Sequence, residues 1–303
     1  MVTSIKQRNL ALERETAAKN DAARLSILAA GFLVTLKTAT GLLTGSISVW
    51  ASLLDSAMDI LASTINLVAV RAASQPADED HAYGHGKAES LAGLFQALVI
   101  AASGIYLIWE AARRIIKPQV TSYEWVGMAT MLIATATSIA LVRRLRRVAS
   151  ETDSLALQSD SLHYMTDIYM NMSALVALLI VRLSGWQVAD PLISITIALY
   201  ILWSAAHVAR ESIDVLMDRR LPPEVDEQIA EIVARFRQEG ALGFHDLRTR
   251  RSGSQKFIDL HLEVERDQLL EEAHALTVRV LRAIEAEIPR ARVQIHTDPA
   301  DKE

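Results

Sequence analysis

The sequence contains no cysteine. This absence excludes disulfides and thiolate metal sites, so any metal must be held by histidine, carboxylate or carbonyl ligands, and soft ions such as Cu(I) are disfavoured. Charge is also sparse, at 22% of residues, and the net charge is −5. Because the chain has no basic stripe interleaved with aromatic side chains, we expect no nucleic-acid partner.

What the sequence has instead is apolar residues, which make up 51% of the chain. They are concentrated in six stretches that are each long enough to cross a bilayer, at residues 25–45, 47–70, 90–112, 124–142, 155–182 and 189–211. Several stretches carry Ala, Gly, Ser and Thr at the density expected where helices pack closely in lipid. Six such runs in succession favour membrane-spanning helices over buried helices of a soluble protein. We therefore predict a six-helix transmembrane domain over residues 1–213.

Basic residues near the ends of these stretches predict the orientation. With the N-terminus inside, eleven Lys and Arg lie in inner segments and four in outer segments. This bias predicts that both termini are cytoplasmic. The charged N-terminal segment lacks the basic-then-apolar pattern of a removable signal peptide.

Residues 214–303 read as ordinary soluble sequence. A helical pattern runs from "PPEVDEQ" to Gly240, two strand patterns flank the turn "SGS", and a further helix over about 267–288 precedes the strand "RVQIH". In the second strand, Ile258, Leu260, Leu262 and Val264 alternate with polar residues, which places His261 on the wet face. The fold class is thus an α-helical membrane protein with six transmembrane helices plus a small cytoplasmic α+β domain of order α-β-β-α-β.

Two membrane stretches carry ionisable residues in matched pairs. Asp55 and Asp59 are four residues apart in the second stretch, and His163 and Asp167 have the same spacing in the fifth. Residues at i and i+4 share a helix face, so two facing helices would bring three carboxylates and an imidazole together. Four such ligands can form a tetrahedral Zn²⁺ site, and they serve other divalent ions less selectively.

This ligand set explains why charges would be placed in lipid, where each is costly. A divalent cation would neutralise the carboxylates, and without it they would tend to bind protons. Because metal binding needs deprotonated ligands, metal and protons compete for such a site. A site that opened alternately to each side could therefore exchange a metal ion for protons.

Other interpretations were weighed. A single intramembrane Asp often only donates or accepts a structural hydrogen bond, and Asn66 and Asn171 fit that role better than metal ligation. An intramembrane metalloprotease would usually carry His-Glu-x-x-His, which is absent, and a di-iron bundle would carry Glu-x-x-His pairs rather than these Asp-rich pairs. The chain is therefore not expected to be an enzyme.

The two pairs, together with "QPADEDHAYGHGKAES" between the second and third stretches and "HDLRTR" in the tail, resemble the cation diffusion facilitator family. The resemblance spans nearly the whole chain and is greatest to the bacterial YiiP-like zinc and iron efflux branch. It implies a homodimer in the bacterial inner membrane that exports divalent metal in exchange for protons. Asp55, Asp59, His163 and Asp167 would form the transport site.

The resemblance also implies further metal ligands. Asp78, His81 and His85 match a second site in the loop before the third helix. In a C-terminal regulatory and dimerisation domain over residues 214–303, the matching ligands are His245, His261, His274, His296 and Asp298.

Lys87 matches a family lysine that pairs with an acid after the sixth helix, here Asp218. We expect this ion pair to be structural, tying the membrane domains to each other or to the tail.

The expected substrate is Zn²⁺, with Fe²⁺ and Cd²⁺ as alternatives, and protons are the coupling ion. The connection "RRLRRVASETDS" has no histidine, unlike the loop of many eukaryotic zinc transporters. A non-transporting metal sensor or assembly partner of the same fold remains the alternative function.

Overall fold

The computed structural model describes residues 2–44, 47–116, 125–184, 186 and 188–300. Within its helices, side chains are not described at residues 2–9, 11–12, 41, 43–44, 47–58, 125, 127, 174, 177–178, 181–182 and 189–190. The chain divides into two compact units, Met1–Ile213 and Asp214–Glu303.

Six long helices form the first unit. They are α1 (Val2–Thr44), α2 (Ile47–Ala73), α3 (Lys87–Ile116), α4 (Trp125–Thr152), α5 (Leu155–Ser184) and α6 (Ala189–Leu216). Each corresponds to one of the six predicted stretches, but α1 begins about two dozen residues earlier than its stretch. The added segment includes "ALERETAAKNDAAR", in which Ala, Glu, Lys and Arg favour the helix although they are too polar for lipid.

Within the described residues, four helical segments are long and apolar enough to cross a membrane. They are Glu13–Thr40, Lys87–Ile116, Met128–Thr152 and Pro191–Leu216. The other two long helices, α2 and α5, each contain residues whose side chains lie outside the described part of the structure, and they are the helices that carry the predicted ligand pairs.

The helices of this unit pack through small and apolar side chains. α1 contacts α2 and α4, α4 contacts α5, and α3 contacts α2 and α5. Their main core includes Leu145, Leu157 and Tyr164, which are fully buried. At Gly104 of α3, an added Cβ would lie 3.1 Å from the Leu202 side chain of α6, so this helix pair depends on a residue without a side chain.

The second unit has the predicted order. Its elements are α7 (Pro223–Ala234), a 3₁₀ turn (Arg237–Glu239), β1 (Ala241–Ser252), β2 (Gln255–Val264), α8 (Leu270–Glu287) and β3 (Ala291–Pro299). Gly240 ends the 3₁₀ turn with a φ of 104°, whereas α7 itself stops at Ala234. The sequence located the stop signal correctly but not the tightening of the last turn before it.

The three strands form one sheet in the order β1-β2-β3, with β1 antiparallel and β3 parallel to β2. Ile258, Leu260, Leu262 and Val264 are all buried in a core shared with α7 and α8, as the alternation predicted. The opposite face of the sheet is left for the polar residues of β2, including His261.

Candidate metal centres

Asp59 of α2 and His163 and Asp167 of α5 come together in the first unit. One potential ligand atom from each lies within 4.8 Å of the others. The His163 Nε2 and the Asp59 Oδ1 are 2.8 Å apart, and both residues are more than nine-tenths buried. The i, i+4 spacing in α5 therefore does present its two ligands to one residue of α2.

The contact between His163 and Asp59 needs a proton. At 2.8 Å the nitrogen and the oxygen share a hydrogen bond, and an ionised carboxylate can only accept one. A metal ion bound through the same Nε2 requires that proton to leave. Metal and proton thus compete for one identifiable atom.

Asp55 lies one helical turn before Asp59 in α2, but its side chain falls outside the part of the structure that is described. Its membership of this cluster stays a prediction.

Asp160 is a buried carboxylate that the sequence analysis did not assign. It lies one turn before His163 in α5, is 1% exposed and accepts a hydrogen bond from the Ser26 Oγ of α1. The available signal was its i, i+7 spacing to Asp167. Asn66 of α2 was expected to make an interhelical hydrogen bond, and its side chain does lie beside the Asp160 carboxyl of α5, although neither polar atom of Asn66 has a closely aligned partner among the described residues.

A second cluster forms in the loop between α2 and α3. One potential ligand atom from each of Asp78, His81 and His85 lies within 4.8 Å of the others. The His85 Nε2 lies 3.4 Å from Asp78, and the two imidazole rings are 4.4 Å apart. Gly84 gives the loop its turn, with a φ of 79° and a backbone N–H donated to the His81 carbonyl. The turn, rather than a helix, brings the side chains together.

The loop carboxylate is held in its charged form. The backbone N–H of His81 donates to the Asp78 Oδ1 at 2.6 Å, which lowers the pKa of the Asp78 carboxyl below its usual value. The neighbouring imidazoles of His81 and His85 act in the same direction. An ionised carboxylate beside two imidazoles is suitable for binding a divalent cation.

The third cluster follows from the register of the sheet in the second unit. His245 of β1 lies opposite His261 of β2, and His261 lies beside His296 of β3. The rings of His245 and His261 are 5.2 Å apart, and those of His261 and His296 are 4.8 Å apart. Three histidines that are distant in sequence thus form a row across one face of the sheet.

Asp298 connects this row. The His261 Nδ1 lies 2.8 Å and the His245 Nε2 3.4 Å from its Oδ2, while the His296 Nε2 lies 3.1 Å from its Oδ1. The hydrogen bond with His261 lowers the pKa of the Asp298 carboxyl. Glu263, which the sequence analysis did not single out, contacts the His245 Nδ1 at 2.9 Å. Its place two residues after His261 on the wet face of β2 was the available signal.

Two predicted roles that involve the tail stay predictions. His274 lies near the start of α8, is exposed, and belongs to none of the three clusters found among the described residues. Arg250 of β1 donates to the Asp218 carboxylate at 3.2 Å. The pairing of Asp218 with Lys87, which begins α3, stays a prediction.

Two protein-family models match this chain. The model of the cation efflux transmembrane domain matches residues 23–217, and that of the cation efflux protein cytoplasmic domain matches residues 221–300. The chain belongs to the cation diffusion facilitator family. The family assignment confirms the resemblance seen in the sequence and makes the protein a multi-pass transporter of divalent metal cations, not an enzyme.

Several relatives with similar sequences are described as cation-efflux pumps. The cation-efflux pump FieF of Klebsiella pneumoniae is 43% identical over 259 residues, covering 85% of each chain. FieF of Yersinia pestis is 42% identical over 279 residues and FieF of Citrobacter koseri 41% over 278 residues, each covering 92% of both chains. FieF is a YiiP-like member of the cation diffusion facilitators, which is the branch that the sequence resembled.

Proposed function

We propose that this cation diffusion facilitator exports Zn²⁺ from the cytoplasm in exchange for protons, through a site formed by Asp55, Asp59, His163 and Asp167. The observation that carries the proposal is the convergence of the buried Asp59 and His163 with the half-buried Asp167 between α2 and α5. Fe²⁺ and Cd²⁺ are the alternative substrates.

Ligand chemistry supports zinc. One imidazole and carboxylate oxygens match the donor set that Zn²⁺ accepts in tetrahedral geometry. An ion preferring only oxygen ligands, such as Mn²⁺, gains less from His163. The absence of cysteine removes the ligand that would favour softer ions.

Proton exchange is supported by the hydrogen bond between His163 and Asp59. Metal arriving at Nε2 displaces the shared proton, and a proton arriving there weakens metal binding. If the cytoplasmic side loads the metal and the outer side supplies the protons, rocking of the helices between two open states yields export.

The C-terminal cluster is proposed as a regulatory metal site in a homodimer. The second unit matches the cytoplasmic domain of cation efflux proteins, and its row of three histidines with Asp298 is accessible to solvent. Metal bound there would favour one arrangement of the paired domains, because a ligand shifts a conformational equilibrium by its differential affinity. We propose that His274 is a further ligand of this site. We also propose that the loop cluster of Asp78, His81 and His85 binds metal independently of the C-terminal cluster.

The proposed location is the bacterial inner membrane, with both termini in the cytoplasm. The distribution of Lys and Arg supports this orientation. It places the loop cluster and the C-terminal cluster on the side from which metal would be exported.

The test is metal flux in liposomes that contain the purified chain, with a zinc-sensitive dye and a pH probe inside. Zn²⁺ is added outside, and the parent chain is compared with Asp167→Ala. Zinc entry accompanied by opposite proton movement, and lost in the variant, is the expected result. Zinc binding without flux in the parent chain would contradict the proposal and favour a metal sensor.

A further inference from the structure

Asp160 is a buried acid that forms no ion pair with the described residues. Its Oδ2 accepts the Ser26 hydroxyl hydrogen, but its Oδ1 has no hydrogen-bond partner in the described part of the chain. The His163 imidazole one helical turn away attracts the carboxylate, but no ion pair joins Asp160 to a Lys, Arg or His in that part. A buried charge with no counter-charge in direct contact is disfavoured. The carboxylate is therefore placed where a cation would be stabilised.

Asp160 is part of a polar stripe between α2 and α5. The Asp59 carboxylate meets the His163 imidazole, the Ser63 Oγ lies 3.1 Å from the Tyr164 hydroxyl, and Asn66 faces Asp160. Asn66 follows Asp59 in α2, whereas Asp160 precedes His163 in α5, so the two helices are antiparallel.

The stripe extends away from the Asp59–His163–Asp167 cluster in one direction. Asn66 is seven residues beyond Asp59 and Asp160 is seven residues before Asp167, so each end is displaced by about 10 Å along its helix. Both displacements lead towards Ala73 and Leu155, the ends of α2 and α5 that the orientation places at the cytoplasm.

Asn66 supplies a second, independent sign of a ligand at this end of the stripe. It is 4% exposed, and its Oδ1 and Nδ2 both lack hydrogen-bond partners among the described residues. Buried amides are almost always hydrogen-bonded, so one that faces an unpaired carboxylate needs an explanation. A divalent cation with part of its water shell would accept both the Asp160 Oδ1 and the Asn66 Oδ1 as ligands.

We propose that Asp160 and Asn66 form a second intramembrane cation position, which the ion occupies between the cytoplasmic ends of α2 and α5 and the Asp59–His163–Asp167 cluster. The inference rests on the proposed transport function. The oxygen-only ligands make this position weaker and less selective than the cluster with His163, so the ion passes through it instead of remaining there.

The test measures initial rates of Zn²⁺ entry into liposomes containing the full chain, over a range of Zn²⁺ concentrations and with a pH probe inside. Asp160→Asn keeps the size of the side chain and its ability to accept from Ser26, but removes the charge. The expected result is a rise of about 10-fold in the half-saturating Zn²⁺ concentration, with the maximal rate largely kept. Asn66→Leu should shift the same quantity in the same direction, by less.

Glu89→Gln is the matched control. Glu89 is another buried acid, but it lies on α3 and pairs with Lys19. This variant should lose stability without a shift in half-saturation, which separates ion binding from general damage. Ser26→Ala removes only the hydrogen bond to Asp160 and should have a smaller effect than Asp160→Asn.

Several outcomes would overturn the inference. These are an unchanged half-saturating concentration in Asp160→Asn, an equal effect of Ser26→Ala, or an altered proton-to-zinc ratio at unchanged half-saturation, which would make Asp160 a proton carrier. Absence of zinc flux in the parent chain would instead count against the proposed function itself.

Discussion

The buried cluster in the helices and the exposed cluster on the sheet combine the same ligand types in opposite surroundings. Asp59 and His163 are 9% and 8% exposed, whereas the side chains of His245 and His296 are 50% and 66% exposed. The first cluster combines an i, i+4 pair of α5 with Asp59 of α2, and the second depends on the register between three strands.

The difference in burial predicts a difference in function. Water cannot reach and stabilise the charges of the buried cluster. The buried cluster therefore favours states in which either a metal ion or a proton is bound to it. The exposed cluster can lose its metal with a smaller penalty, because solvent replaces it. Obligatory exchange suits transport, and graded occupancy suits sensing of the metal concentration.

Breaking a buried charge pair should have the largest effect on stability. The Lys19 ammonium and the Glu89 carboxylate are 2.8 Å apart, with side chains 8% and 2% exposed. Lys19→Ala leaves Glu89 buried and uncompensated, so we expect the free energy of unfolding to fall by about 3–5 kcal/mol. Arg235→Ala is the control, since its partner Glu287 is exposed and the loss should be below about 1 kcal/mol. Both are measured by denaturant-induced unfolding in detergent, and equal losses would refute the distinction.

Changing the metal ligand in the buried cluster should alter selectivity. His163→Asp replaces the one nitrogen ligand by oxygen, so zinc should lose its advantage over Mn²⁺. Changes in outer-shell groups already alter metal affinity by about 10–100-fold, and a direct ligand change should shift the ratio of Zn²⁺ to Mn²⁺ flux at least about 10-fold. An unchanged ratio in liposome flux would show that His163 does not select the ion.

Removing ligands from the exposed cluster should weaken regulation and leave transport in place. The variants His261→Ala and His296→Ala, in the full chain, should lose activation of flux by metal. The activation lost is expected to be about 5-fold, at the lower end of typical coupling between sites. Flux is measured as a function of metal concentration on the cytoplasmic side. Activation equal to that of the parent chain would remove the regulatory role.

The smallest expected effect is the pH dependence contributed by Asp298. Its pKa is lowered in the folded chain by the hydrogen bond with His261, so the unfolded chain binds that proton more readily. The stabilisation is therefore present above the ordinary pKa of an aspartate and is lost as the pH falls through the lower, folded value. In metal-free protein, we expect the stability of Asp298→Asn to fall less than that of the parent chain as the pH is lowered from about 5 to about 3. An identical decline in thermal unfolding experiments would contradict this.

Local patterns in the sequence predicted more of the structure than long-range contacts did. The i, i+4 pair of His163 and Asp167 and the alternation from Ile258 to Val264 depend only on helix and strand periods, and both agree with the structure. The start of α1 was missed because polar residues can continue a helix outside the lipid, where hydropathy gives no signal. Which group of the neighbouring helix lies beside Asn66 is a long-range property, and no local pattern in α2 specifies that it is Asp160.

The row of histidines also combines a feature that a local pattern predicted with one that depends on long-range contacts. The alternation of β2 predicted that His261 faces solvent, but its alignment with His245 and His296 depends on strand pairing that no local pattern specifies. The grouping of His245, His261 and His296 into one site came from the family resemblance. Asp160 was not assigned because its i, i+7 spacing to Asp167 is a weaker signal than an i, i+4 pair, and its burial beside Asn66 draws attention to it.

The central claim is that the buried cluster transports and the exposed cluster regulates. The most direct measurement compares zinc flux by Asp59→Ala and by His261→Ala in the same liposome assay, each confirmed as folded. We predict no flux above empty liposomes for Asp59→Ala and continued flux for His261→Ala. Flux in Asp59→Ala, or its complete loss in His261→Ala, would contradict this assignment.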